Sequence, residues 1–265
     1  MIKTLKEANA IAGTIGNPSK MPGMSYGLPA AEAKFVPDIC LAKGWMVPSE
    51  YGCSIGSILS KIKGSVCHTC YADDRNNYSY PSVHIAHTKR IVGIYKAEWV
   101  AAMVFLLGRT FDKMFIETLA EKVDDFFIDN DSMPTKKDMH TLEKMALKEC
   151  AYFRWHDSGD ILNTWHLNKI YEVCRRTPYL HHWLPTRETN IVLKTTTKKP
   201  DNLVIRHSAQ MVDGPLPKRV SFMSNVTAVG DYKGMKCNAS SNNNMCGSCR
   251  WCWDKKIECI TYPKH

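Results

Sequence analysis

The second half of the chain alternates short apolar segments with amphipathic ones, and this alternation limits the folds available to it. The strand-like segments are 151–156, 181–184, 203–207 and 219–223, and helical patterns lie between them over 163–176 and 188–193. Strands that alternate with helices at this interval are typical of βαβ units, whose strands pair in parallel. The sequence therefore predicts an α/β fold with a parallel sheet.

Polar residues follow each predicted strand. The sequence His156-Asp157-Ser-Gly-Asp160 ends the first, and Pro-Thr-Arg187 follows the second. Four such strands with more helix upstream suggest a TIM-barrel-like fold, partial or complete. In such folds the carboxyl ends of the strands form the active site. We therefore expect a catalytic site containing His156, Asp157, Asp160 and Arg187, in which His156 and Asp157 serve as acid and base.

Two further strand-end residues extend this hypothesis. Two of the catalytic candidates, Asp160 and His156, also have a structural interpretation. Glu188 and Arg206, with Arg187, could hold an anionic or amino-acid-like group by paired hydrogen bonds. Asp160 could instead stabilise the start of the following helix, and His156 could be a core histidine bonded to the backbone.

The last thirty residues carry a dense run of cysteines around Cys-Gly-Ser-Cys-Arg-Trp-Cys-Trp. The expected metal ligands are Cys237, Cys246, Cys249 and Cys252. Thiols separated by two residues are typical of loops that hold a [4Fe–4S] cluster. The same spacing also suits a structural zinc site or a disulfide knot, and zinc is the main alternative.

A second cysteine group precedes the helical region. Cys67 and Cys70 form a CxxC motif, which occurs in zinc sites, redox pairs and cluster sites, and Cys53 lies upstream. Three thiolates from Cys53, Cys67 and Cys70 would leave one iron of a cluster open to another ligand. The chain is therefore expected to hold one or two clusters. Alternatively, one cluster draws ligands from both cysteine groups.

The whole chain, residues 1–265, is expected to form one α/β domain with four parts. They are an irregular Pro-, Gly- and Cys-rich arm over 1–80, a helical region over 81–150, β/α repeats over 151–230 and a metal-binding tail over 231–265. Helical patterns cover 83–107, 111–127 and 136–149, and Thr135 with Asp138 predicts a capping box for the last. The Cys-rich extensions at both ends are expected to close one end of the barrel.

Composition narrows the class of protein. A hydrophobic fraction of 44% and a charged fraction of 23% are those of an ordinary globular protein. No apolar stretch is long enough to span a membrane and no signal region opens the chain, so a cytoplasmic protein without a membrane partner is expected. The net charge of +9 comes from dispersed Lys and Arg, which supports a nucleic-acid partner only weakly.

Several motifs together resemble the bacteriophage gene product 88 family. They are the Asn17–Pro29 segment, Gly-Ser-Val-Cys67-His-Thr-Cys70-Tyr, Phe-Arg-Trp-His156-Asp-Ser-Gly-Asp160, Trp-Leu-Pro-Thr-Arg187 and the cysteine run of the tail. The resemblance covers nearly the whole chain and implies a phage-encoded protein that acts in the host cytoplasm. It implies a setting and no particular reaction.

A more distant similarity, to radical S-adenosylmethionine enzymes, rests on the CxxC-Tyr motif and on the arginine-bearing strand that ends in Ser-Gly-Asp. Those enzymes place a further cysteine shortly before the CxxC pair, and this chain has none there. The leading hypothesis is an iron–sulfur enzyme acting on a small-molecule substrate, with S-adenosylmethionine as a candidate ligand. The alternatives are an esterase-like hydrolase with a structural cluster and a non-catalytic, zinc-stapled binding protein.

Overall fold

The strands form one parallel sheet. The computed structural model describes residues 2–30, 33–50, 52–72 and 76–264. Its strands are β1 (Met24–Tyr26), β2 (Tyr152–Trp155), β3 (His181–Thr186), β4 (Leu203–Ser208), β5 (Met223–Thr227), β6 (Met235–Lys236) and β7 (Cys259–Pro263). Their order is β1-β2-β3-β4-β5-β7-β6, and every neighbouring pair is parallel. The α/β class and the parallel sheet are confirmed, and the open sheet is consistent with a partial barrel.

Helices connect and cover these strands. They are α1 (Leu5–Ala12), α2 (Phe35–Lys43), α3 (Ser54–Leu59), α4 (Pro81–Ile94), α5 (Trp99–Asn130), α6 (Lys136–Cys150), α7 (Thr164–Arg176) and α8 (Thr189–Lys194). The capping box predicted for α6 is present, because Thr135 and Asp138 exchange hydrogen bonds between side chain and backbone. The Asn163 side chain caps the start of α7 by accepting a hydrogen bond from the His166 N–H.

One face of the sheet contributes to the main apolar core. Phe153 and Trp155 point to this face from β2, and Leu184 points to it from β3. They pack with residues of the surrounding helices, including Trp99 of α5 and Ile170 of α7. Alternation along a strand sends the residues between them to the opposite face. We call that opposite face the inner face.

The C-terminal tail covers the inner face. Trp253 packs edge-on against Tyr152 of β2 and Trp183 of β3, with ring centroids 5.2 Å apart in both pairs. Arg206 of β4 is fully buried there, and its guanidinium donates hydrogen bonds to carbonyl oxygens of the tail. The acceptors are Trp251, Cys252, Asp254 and Ile257, at 2.7 to 2.9 Å. The buried Arg206 guanidinium thus holds the tail segment 251–257 in place.

The longest helix reaches beyond the sheet. All buried residues of α5 lie between Trp99 and Leu107, in its first third. The rest of α5 packs against α6, which returns toward the sheet, and Lys122 pairs with Glu149 at 2.6 Å between them. These two helices therefore form a hairpin whose far end lies away from the core.

Several local predictions need correction. The pattern over 83–107 is two helices separated at 95–98, and 111–127 continues the second of them instead of forming its own helix. The strand predicted at 219–223 lies at Met223–Thr227, so Ser224 and Asn225 belong to the strand and not to its end. The predicted irregular arm over 1–80 contains α1, β1, α2 and α3. Short elements of this kind carry too few apolar positions to show periodicity.

No helix in the described part of the chain is long and apolar enough to cross a membrane.

We expect Arg206→Gln to lower the free energy of unfolding by about 3 kcal/mol or more, because four buried carbonyl oxygens would lose a charged donor. Urea denaturation measures the free energy of unfolding. Arg109→Gln, an exposed charge loss on α5, is the matched control and should change stability by no more than about 0.5 kcal/mol. Equal effects in the two variants would show that Arg206 does not hold the tail.

Candidate functional site

A cavity of about 110 Å³ lies at the carboxyl edge of β2, β3 and β4. Its lining comes from the residues after these strands and from the segment 53–72, which reaches over the edge of the sheet. All four predicted catalytic residues line it, namely His156, Asp157, Asp160 and Arg187. Cys53, Cys67 and Cys70 line it as well. We call this space the edge cavity and these three cysteines the edge thiols.

The loops after the strands hold the cysteine-bearing segment in place. The Ile55 N–H donates to the Glu188 carboxylate at 2.7 Å, just after β3. The Val66 N–H donates to the Gln210 carbonyl oxygen at 2.9 Å, just after β4. The segment 53–72 is therefore attached to the same strand ends that carry the catalytic candidates. Glu188, expected to bind a ligand, instead accepts a bond from the backbone.

The edge thiols face one small volume. A methyl group at Gly56 would overlap the Cys53 sulfur, so glycine leaves room for that thiol, and the Cys67 sulfur lies 3.8 Å from the same point. Burial raises the pKa of the Cys67 thiol, and the nearby Arg187 guanidinium lowers it. Arg187 therefore favours the thiolate, which is the form that binds a metal.

His156 is buried and has no hydrogen-bond partner on either ring nitrogen. Its backbone lies in the left-handed region with φ of 53°, and its N–H donates to the Tyr26 carbonyl oxygen at 2.8 Å. Burial lowers the pKa of His156 to about 3. The imidazole is therefore neutral at physiological pH, and it makes no hydrogen bond to Asp157 or Asp160.

Asp157 is held where β1 and β2 end. One carboxylate oxygen accepts from the Ser25 hydroxyl at 3.0 Å, and the other accepts from the Ser158 N–H at 3.0 Å. The Tyr71 hydroxyl donates to the Asp157 carbonyl oxygen at 2.6 Å, which ties the cysteine-bearing segment to this loop. A methyl group at Gly27 would overlap the carboxylate, so the end of β1 leaves space for it.

Asp160 is buried and links the loops after β2 and β3. Its oxygens accept from the Thr186 hydroxyl at 2.6 Å and from the N–H groups of Arg187 and Ile161 at 2.8 Å. Burial raises the pKa of Asp160 despite these donors. The helix-start interpretation of Asp160 is wrong, because Asn163 caps α7. Its contacts make Asp160 a positioning residue.

No role was predicted for Arg154, yet this residue lines the edge cavity. It alternates with Phe153 and Trp155 along β2, so its side chain lies on the inner face and lines the edge cavity. Its charge also lowers the pKa of the Cys246 thiol in the tail, which burial raises. A charged residue in the middle of an otherwise apolar strand was the feature of the sequence that could have indicated a role for Arg154.

Arg206, by contrast, does not reach the cavity. The prediction that it binds an anionic ligand is wrong, since its donors are occupied by carbonyl oxygens of the tail.

The other four predicted ligands lie together on the inner face. We call them the tail thiols: Cys237, Cys246, Cys249 and Cys252. Burial raises the pKa of the Cys252 thiol to about 12, and the charges of Cys237 and Cys246 add to this shift. The Cys252 sulfur also lies 3.4 Å from the Tyr262 hydroxyl. Cys237 and Cys246 therefore lie within electrostatic range of Cys252.

The thiols of both groups are free to bind a metal only as far as their spacing allows. None of the eleven cysteines forms a disulfide. Among the residues the structure describes, no three His, Cys, Asp or Glu side chains converge closely enough to hold a single metal ion. A tetrahedral zinc site needs its sulfurs about 2.3 Å from one point. A cluster distributes its thiolates over separate iron atoms, so thiols spaced around a cavity suit it better.

A family model described as gene product 88 matches residues 2–255. No curated protein matches the chain, and no solved structure matches it. The distant similarity to radical S-adenosylmethionine enzymes has no support in these comparisons. The matched range includes both thiol groups and every residue that lines the edge cavity.

We expect His156→Asn to make the protein less sensitive to acid. Between pH 6.5 and about 3 the unfolded chain protonates this histidine and the folded chain does not. The free energy of unfolding therefore falls as the pH falls, by about 1.4 kcal/mol per pH unit for one such group. Asparagine tolerates the left-handed backbone and has no proton to gain. Urea denaturation from pH 7 to pH 5 should give a shallower pH dependence for the variant.

His140→Asn is the control for this experiment, because His140 is exposed on α6. It should retain the pH dependence of the unmodified chain. If His156→Asn does so as well, the imidazole is not neutral in the folded protein.

Proposed function

The chain belongs to the bacteriophage gene product 88 family, which by itself implies no reaction, and from the geometry of the edge cavity we propose that it is an iron–sulfur enzyme. The observation that carries the proposal is the position of the edge thiols at the carboxyl ends of the parallel strands. Residues from three strand ends and a thiol-bearing segment surround one volume there. Parallel α/β enzymes place their chemistry at this edge.

Three thiolates suit a cluster that keeps one iron open. Cys53, Cys67 and Cys70 would hold it, and a bound cluster of this kind would supply redox chemistry and an open coordination position for a substrate atom. The tail thiols number four, which suits a closed cluster. The proposal thus includes two [4Fe–4S] sites with different roles, one reactive and one structural or electron-carrying.

The remaining residues of the edge cavity have roles that follow from their contacts. Arg187 lies next to Cys67 and stabilises its thiolate. Asp160 positions Arg187 by accepting from its N–H. Asp157 retains free lone pairs beside the cavity and is the best placed proton acceptor. His156 is neutral and unpartnered, so its ring nitrogens are available for a hydrogen bond with a bound molecule.

The esterase-like alternative has less support. Acid–base work by a histidine and an aspartate requires a hydrogen bond that orients the ring, and His156 makes none. Asp160 is already occupied by three donors. The zinc-stapled alternative requires thiols that converge on one ion. We therefore prefer the cluster, and we place its work in the host cytoplasm, where thiols remain reduced.

Metal analysis of protein purified without oxygen tests the proposal. We expect a brown protein with broad absorbance near about 400 nm, as iron–thiolate sites give, and about four iron atoms for each loaded site. Cys67→Ser should remove the iron of the edge cavity, and Cys249→Ser should remove the iron of the tail. Cys40→Ala, a buried thiol of α2 outside both groups, should leave the iron content unchanged.

Cys249→Ser should also lower the melting temperature more than Cys67→Ser does, because the tail covers the inner face of the sheet. A colourless protein that contains zinc in place of iron would refute the iron–sulfur proposal. Full iron content in Cys67→Ser would remove the edge thiols from the ligand set.

A further inference from the structure

Two guanidinium groups face the edge cavity without a salt bridge to any residue that the structure describes, although the Asp157 and Asp160 carboxylates line the same space. Arg154 and Arg187 both line it, and the Nε atom of each is buried without a hydrogen-bond partner. Neither residue takes part in any ion pair found among the described residues. Buried N–H groups are nearly always satisfied in folded proteins, and one that is left without a partner destabilises the folded state. The pair is therefore incomplete without a ligand.

The contacts of Arg154 hold it ready for such a ligand. Its guanidinium lies over the ring of Trp183, 4.9 Å from the centroid, and one terminal nitrogen lies 3.9 Å from the Met21 sulfur, which is a weak acceptor. Burial alone would lower the pKa of Arg154, but Tyr71 and Asp157 nearby raise it above its ordinary value. The cation is fixed in position and permanently charged.

We propose that Arg154 and Arg187 bind the carboxylate of a small-molecule substrate in the edge cavity. Carboxylates would then be the substrate class of the active site proposed above, and their role as substrates rests on that proposed function. The planar guanidinium fork matches a carboxylate with two parallel hydrogen bonds. Asp157 and Asp160 line the same space, so a single negative charge is tolerated better than the double charge of a phosphate. A cavity of about 110 Å³ also favours a small anion.

Arg154 and Arg187 share the edge cavity with the edge thiols. A guanidinium has five donors, so it can serve a thiolate and a carboxylate together. The carboxylate would thus lie beside the edge thiols.

Thermal denaturation of the full chain tests the binding, with acetate as the probe and chloride at equal ionic strength as the reference. A ligand that binds only the folded state raises its melting temperature. We expect acetate to raise it by about 2–4 °C in the unmodified chain and in Arg109→Gln, the exposed charge-loss control. Arg154→Gln and Arg187→Gln should lose this rise, and Arg154→Lys should retain part of it.

Iron content, measured on the same samples, separates the two proposals. An acetate response in protein without iron would refute the iron–sulfur function and leave the carboxylate site standing. The absence of an acetate response in the unmodified chain would overturn the carboxylate site whatever the iron content. So would a full response in both Gln variants. A larger rise with inorganic phosphate than with acetate would overturn the choice of a carboxylate.

Discussion

A parallel sheet must be covered on both faces, and in this protein one buried arginine secures the second cover. Helices α1, α4, α5 and α7 supply the apolar core of one face in the ordinary way. The other face receives a tail whose middle is rich in Ser and Asn. Such a segment buries little apolar surface, so Trp253 and the four hydrogen bonds of Arg206 replace a helix there.

This arrangement determines where the cysteines meet. The tail lies on the inner face and brings its thiols near Arg154, which reaches through to the edge cavity. The edge thiols come from the opposite end of the chain and are attached to the strand ends through Glu188, Gln210 and Asp157. Arg154 thus lines the cavity of one thiol group and acts electrostatically on a thiol of the other.

The chemical character of the edge cavity follows from burial. Desolvation keeps His156 neutral, and Asp160 retains its place through three donors. Arg154 and Arg187 remain charged because a guanidinium keeps its proton even when buried. A cavity with fixed cations, reduced thiols and a neutral imidazole is suited to an anionic substrate and a metal that prefers sulfur ligands.

The sequence by itself determined the class of the fold, the family, and the strand ends that carry His156, Asp157, Asp160 and Arg187. It could do so because strand–helix alternation and strand-end polarity are local patterns of adjacent residues. Tertiary structure decided which arginine serves the cavity. Arg206 and Arg154 both lie within strands and point to the same inner face, but the tail covers Arg206 and leaves Arg154 open at the edge. That difference depends on a segment about fifty residues further along the chain, whose path across the sheet is set by packing and buried hydrogen bonds and has no trace in either strand's own sequence.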